Sequence, residues 1–210
     1  MEARVSWDVA TLEDRTHALL STRSMQAAVL ILSIHTVPKP SSGGGGYRGD
    51  MALLADADIL RYRAKGEIRI EPFDERNLTP NGYDLSVAEV LTPGNDARTT
   101  TGVASVPPLA RFAVSTREVV ALGRHVAAEI WLRTTWARRG VIASFGIVDA
   151  GFSGSLTFGA LNASDAPLEI PIGERFAQLV FLPLESPASD TYERRSGAYQ
   201  GQRGVTLGRP

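Results

Sequence analysis

From Leu78 to the C-terminus the chain consists of short apolar runs cut by proline and glycine, and this feature limits its fold more than any other. The runs are YDLSVAEV, RFAVSTREVVAL, VAAEIWLRTTW, GVIASFGIV, GSLTFGAL, PLEIPI and RFAQLVFLPL. Each is strand length, turn residues separate them, and no long amphipathic helix interrupts the series, so the spacing predicts an all-β sandwich or barrel. One helix precedes it. In ALLADADILRYRAKGEIRIEPF, Ile59, Tyr62 and Arg63 stand at helical spacing behind Asp56, Gly66 ends the helix, and Ile68 and Ile70 then alternate as a strand.

Residues 1–50 read differently. The apolar stretch AAVLILSI at 27–34 is far shorter than the roughly 20 residues a membrane-spanning helix needs. A charged stretch precedes it and no small-residue cleavage site follows, a poor match to a secretory signal. VPKPSSGGGGYRGD then has the composition of a flexible linker. Its glycines do not form a phosphate loop, which needs Gly-Lys-Ser/Thr opening a helix. The expected organisation is an extension with a Gly-rich linker over 1–50 and one compact domain over 51–210, which suits a chain of 210 residues.

Composition removes several chemistries. With no cysteine there is no disulfide, thiol nucleophile or Cys-ligated zinc, and His17, His35 and His125 have no metal-ligand spacing. A net charge of −1 gives no sequence-wide cationic field, so neither nucleic acid nor membrane is expected as a partner. All but two of the 22 basic residues are arginine, Lys39 and Lys65 being the exceptions. Arginine grips phosphate as a planar fork, though genome composition or heat adaptation produces the same bias.

Five motifs, in order, resemble those of the dUTPase and dCTP deaminase superfamily, most closely the archaeal dUTPases. They are NGYDLSV (81–87), LRTTWARRGV (132–141), IVDAGFSGSLTF (147–158), IGERFAQLVF (172–181) and YQGQRGVTL (199–207). The resemblance implies a distorted β jelly roll of the dUTPase-like β-clip type. It implies a cytoplasmic homotrimer with sites at subunit junctions, acting on dUTP with Mg²⁺. Splitting a nucleoside triphosphate between its α and β phosphates needs a carboxylate for the water, a divalent ion and cationic donors.

The resemblance makes Asp149 the general base; the alternative is a turn aspartate capping its own loop. Asp84 matches the first-motif aspartate, linked to Mg²⁺ through water with no direct protein ligand, or else it orders the turn after Gly82. Arg133, Thr134, Thr135 and Arg138 match the phosphate-binding Arg-Ser-Ser-x-x-Arg pattern, with Trp136 and Arg139 read as packing and surface charge. Phe152 matches the aromatic that stacks on the sugar and excludes a 2′-hydroxyl, the alternative being hairpin core. Thr157, Phe158 and Gly159 fall at substrate-binding positions. Tyr192, Tyr199 and Gln202 match tail positions that close over base and phosphates, with Gly197, Gly201 and Gly204 making that tail mobile before substrate arrives.

Deaminases of the superfamily carry a glutamate where this chain has Gly159, and often a lysine where it has Ala198. Glycine cannot shuttle protons between water, ring N3 and the leaving amine. Zinc-dependent deamination is excluded by the missing cysteines. A dUTP diphosphatase is therefore the expected activity. The alternatives are a bifunctional dCTP deaminase and diphosphatase, and a non-catalytic nucleotide-binding regulatory trimer.

Overall fold

A computed structural model describes residues 52–92 and 97–208. The extension and linker assigned to residues 1–50 lie outside the described residues. Helix α1, Asp56–Ala64, carries Asp56 and Asp58 in its first turn and Arg61 and Arg63 in its last, the charge order that complements a helix dipole. Ile59 is its one buried side chain, and Gly66 follows in a left-handed conformation (φ +77°) that ends the helix. Strand β1, Ile68–Glu71, then buries Ile68 and Ile70 in the predicted alternation.

The remaining strands follow in chain order: β2 (Leu78–Thr79), β3 (Gly82–Thr92), β4 (Ala97–Thr99), β5 (Val103–Val106), β6 (Arg111–Leu122) and β7 (Val126–Leu132). After the short helix α2 (Thr134–Arg138) come β8 (Val141–Ala143), β9 (Ile147–Val148), β10 (Ser153–Asn162), β11 (Leu168–Pro171) and β12 (Arg175–Pro183). Helix α3, Tyr192–Arg195, opens the tail. Every pairing is antiparallel, and the main sheet runs β8-β10-β6-β3-β12-β7-β9, with β1 on β6 and both β2 and β4 on β3. Strands β5 and β11 pair separately. Register shifts between Val87 and Glu89, Ser155 and Thr157, and Arg175 and Ala177 curl the sheet, because a bulge increases local twist. The result is the all-β jelly roll expected from the strand spacing and the motifs.

An aromatic cluster fills the curl. Phe158 stacks on Phe176 at 6.5 Å, Phe112 meets Phe176 edge-on at 6.3 Å, and Trp136 lies 5.3 Å from it. Truncating a buried phenylalanine such as Phe176 to alanine typically costs about 3–5 kcal/mol.

Two expectations need correction. The run VAAEIWLRTTW reads as one strand to Trp136, but β7 stops at Leu132 and residues 134–138 are helical. The turn carries the indole of Trp136 into the core, where its Nε1 donates to the Arg175 carbonyl at 2.8 Å. A continued strand would not supply that acceptor in the same way. The run GVIASFGIV is likewise two strands, broken at Ser144–Gly146, where the Ser144 N–H donates to the Gly159 carbonyl at 2.9 Å.

Candidate active site

Asp149 stands where β9 turns towards β10. Its carbonyl accepts the Phe152 N–H at 3.1 Å, closing the turn, and Gly151 occupies it at φ +84°. A Cβ at Gly151 would lie 2.4 Å from the Thr191 Cβ, so glycine is required for the tail to approach. The Asp149 side chain is exposed and makes no ion pair with any described residue. It borders a cleft of about 290 Å³ that also takes in Phe152, Thr157, Phe158, Gly159, Tyr192, Tyr199 and Gln202. Eight of the expected site residues therefore meet in one place. Ile130, Ser144 and Phe145 line it as well, and no motif had singled them out.

These residues do not all face the cleft equally. The Phe152 ring is buried edge-on against Tyr192 at 5.5 Å, and the Phe158 ring belongs to the core stack on Phe176. Gly159 is the exposed member of β10, and a Cβ built on it meets no heavy atom within 4 Å. Asp149 is the one acidic residue lining this cleft.

The tail expected to be mobile lies docked along β10 of its own chain. Gly201 N–H donates to the Ser153 carbonyl at 2.7 Å, Ser155 N–H to the Gln202 carbonyl at 3.0 Å, and Thr206 N–H to Thr157 Oγ1 at 3.2 Å. The Gln202 side chain, expected over the substrate, donates through Nε2 to the Ser155 carbonyl at 2.6 Å. Gly197, Gly201 and Gly204 all sit at positive φ (62°, 71° and 65°), so they shape this path.

A second cleft, about 240 Å³, holds the other group: Asp84, Arg133, Thr134 and Thr135, with Thr79, Leu132 and Gln178. Asp84 lies within β3 and is 2 % exposed. Its Oδ2 accepts from Arg133 Nε at 3.0 Å and Arg175 Nη1 at 3.4 Å. Burial pushes its carboxyl above the ordinary range, against the pull of Arg133 and Arg175. Arg175 and Gln178 were not singled out in the sequence, although both lie inside the fourth motif. Arg138 is exposed and lines neither cleft, whereas Arg139 lies over the Trp136 ring at 4.6 Å and donates to the Glu169 carbonyl at 3.1 Å. One chain thus carries two clefts, one with a carboxylate that makes no ion pair among the described residues and one with guanidinium, hydroxyl and amide donors.

Comparison with known proteins agrees with this architecture. The family described as dCTP deaminase-like matches residues 98–184. The dCTP deaminase of Thermococcus kodakarensis is 40% identical over 149 residues, covering 70% of this chain and 94% of its own. A probable deoxyuridine 5′-triphosphate nucleotidohydrolase of Sulfolobus islandicus rod-shaped virus 1 is 34% identical over 157 residues, covering 74% and 97%. Among solved structures, the 2′-deoxycytidine 5′-triphosphate deaminase of Agrobacterium tumefaciens superposes with a TM-score of 0.54 at 18% identity, over 63% of this chain and 48% of that one. The fold and its clefts define a β-clip protein of the jelly-roll type. The chain belongs to the dCTP deaminase/dUTPase superfamily. Among the described residues, no helix is long and apolar enough to cross a membrane.

Proposed function

We propose that the protein is a dUTP diphosphatase, releasing dUMP and pyrophosphate. The observation that carries this reading is the single carboxylate of the Asp149 cleft. Hydrolysis at the α-phosphorus needs one base, and deamination of cytosine needs a further proton shuttle, for which the open Gly159 position offers nothing. In the proposed reaction Asp149 orients a water and takes its proton as the oxygen bonds to the α-phosphorus. The bond from that phosphorus to the α,β-bridging oxygen breaks, and pyrophosphate leaves with the electron pair.

Thr134, Thr135 and Arg133 bind the phosphate oxygens from the second cleft. Asp84 is a positioning residue, its carboxylate committed to holding Arg133 and Arg175. Mg²⁺ would be held by substrate phosphates and water, with the Asp84 carboxylate in the phosphate cleft to reach it through water. When bound, Mg²⁺ neutralises charge developing on the phosphates.

Separation of the two clefts supports a homotrimer in which one chain's Asp149 cleft is completed by another's phosphate donors. Phe145 and Ile147, exposed by 39 % and 65 %, line the first cleft, and with Trp131, exposed by 54 % and stacked on Phe145, they form an apolar surface that fits burial in that assembly. The name of the 40%-identical relative, a dCTP deaminase, favours a second reading in which this chain deaminates dCTP, and with the hydrolysis retained it would be bifunctional. Paired assays with Mg²⁺ separate them: pyrophosphate from dUTP and no ammonia from dCTP are expected. Ammonia from dCTP at a comparable rate overturns the diphosphatase-only reading, and a chain that binds dUTP without turnover is the regulatory protein.

A further inference from the structure

The Asp149 cleft does not close at Gly159. Gly159 and Ala113 are partners across the β10–β6 pairing, so two of the smallest residues face each other there. Next to them a second cavity, of about 330 Å³, lies beneath the tail between Ala113, Thr206, Leu207 and Gly208. It shares Thr157, Gly159, Tyr199 and Gln202 with the Asp149 cleft, so the two spaces adjoin at the residue where a Cβ would meet nothing. No charged side chain lines it.

A proton shuttle works only within hydrogen-bond reach of the atoms it serves, so a deaminase glutamate at this position must sit close to ring N3 and the group on C4. A pyrimidine seated likewise in this chain turns its position 4 towards Gly159 and the opening behind it. The walls are the Ala113 methyl, the Leu207 side chain, two threonines, Tyr199 and Gln202, which suit an uncharged, partly apolar group and hold no counter-charge for a charged one.

We propose that this cleft accepts 2′-deoxynucleoside triphosphates whose pyrimidine bears an uncharged alkylated group at position 4, the substituent passing Gly159 into the cavity beside Ala113. The inference rests on reading the Asp149 cleft as a nucleotide site. Gly159 is then a specificity-determining residue: its missing side chain both removes the deaminase carboxylate and admits the larger base. Alkylated pyrimidine triphosphates would be cleared by the same hydrolysis as dUTP.

The test uses the full-length chain and two kinds of measurement. Binding is measured by calorimetry with the α,β-imido analogues of dUTP, O4-ethyl-dUTP and N4-ethyl-dCTP, and turnover by pyrophosphate release from dUTP. At least one ethylated analogue is expected to bind within about tenfold of the dUTP analogue. Ala113→Leu, which fills the cavity from the sheet, should weaken the ethylated analogue at least tenfold more than the dUTP analogue, since one methylene-sized misfit is worth about 10- to 200-fold. Leu207→Trp, filling it from the exposed tail, makes the same test should Ala113→Leu not fold. The inference is overturned by a wild type that binds the dUTP analogue and neither ethylated one, or by both analogues weakening equally in the folded variants. Binding of all three without pyrophosphate release from dUTP removes the diphosphatase reading and leaves this inference standing. Binding of none removes both.

Discussion

The docked tail depends on one buried carboxylate that no motif contains. Glu89 of β3 is 8 % exposed; its Oε2 accepts the Val205 N–H at 2.8 Å, and its Oε1 pairs with Arg98 of β4. Gly204 lies against the same oxygen, since a Cβ there would come within 2.7 Å of it, and its φ is +65°. Val205 packs with Leu91 and Ala113 in a small separate cluster. In Glu89→Ala the buried Val205 N–H loses its acceptor, which costs about 1–3 kcal/mol. That N–H recovers water once the tail lifts, and Arg98, half exposed, recovers it without movement. The cost therefore falls on the docking equilibrium, which weakens about 5- to 150-fold, at roughly 1.4 kcal/mol per tenfold. Hydrogen exchange at the amides of Gly201, Val205 and Thr206 should accelerate by that factor while exchange in β6 and β12 holds. If Tyr199 and Gln202 serve the substrate, KM rises more than kcat falls. Glu89→Gln keeps a carbonyl oxygen for Val205 and should restore most of the protection. Unchanged tail exchange in a folded Glu89→Ala protein would refute the latch.

Asp149→Asn keeps size and polarity but loses the base, so turnover of dUTP should fall about 10²- to 10⁴-fold while α,β-imido-dUTP still binds; near-wild-type turnover removes the base assignment. Glu118 is 2 % exposed and accepts the Ser86 N–H at 2.8 Å, and burial pushes its carboxyl above the ordinary 4.5. A raised folded-state value means the native state releases its proton later than the unfolded chain, so this group's contribution to stability is full below pH 4.5 and is lost as pH rises through the folded value. Glu118→Gln should therefore raise Tm at pH 8, with the gain shrinking towards pH 4; an equal shift at both values contradicts the burial argument. Trp131→Glu places a charge on the exposed apolar face and should move the light-scattering mass from trimer towards monomer; an unchanged trimer means that another face is buried.

Much of the sheet is legible in the chain because alternation and turn residues are local signals. The run RFAVSTREVVAL is β6 from its first residue to its last, and Gly66 ends the helix as its position predicts. Failures occur where a distant partner decides. Strands β4 and β5 are short and partly polar, and they exist because β3 and β11 lie beside them. Residues 134–138 leave the strand because the Trp136 indole finds an acceptor 39 residues away. The same holds for the site. Asp149 can be read from one continuous motif and Gly159 follows its last residue, whereas the Asp84–Arg175 contact spans 91 residues and the Glu89–Val205 contact 116. Neither pair has a sequence signature, because each depends on which strands the curled sheet makes neighbours.

That dependence also puts two aspartates from two motifs in contrasting surroundings. Asp84 is buried between two guanidiniums, and a carboxylate accepting charge-assisted hydrogen bonds from both is fixed in place by them. Burial raises its affinity for a proton, but its neutral form would weaken both contacts, so proton uptake there costs Arg133 and Arg175 their charged partner. Asp149 is exposed on a glycine turn, has no ion pair among the described residues, and borders the cleft lined by the aromatic and tail residues. Proton acceptance costs it no structural partner. Two carboxylates in contrasting surroundings are the usual arrangement when one must exchange protons and the other must hold charge. Asp84 is held by the arginines, and for the proposed hydrolysis its use as the base would require breaking the buried cluster at every turnover, whereas the use of Asp149 would not.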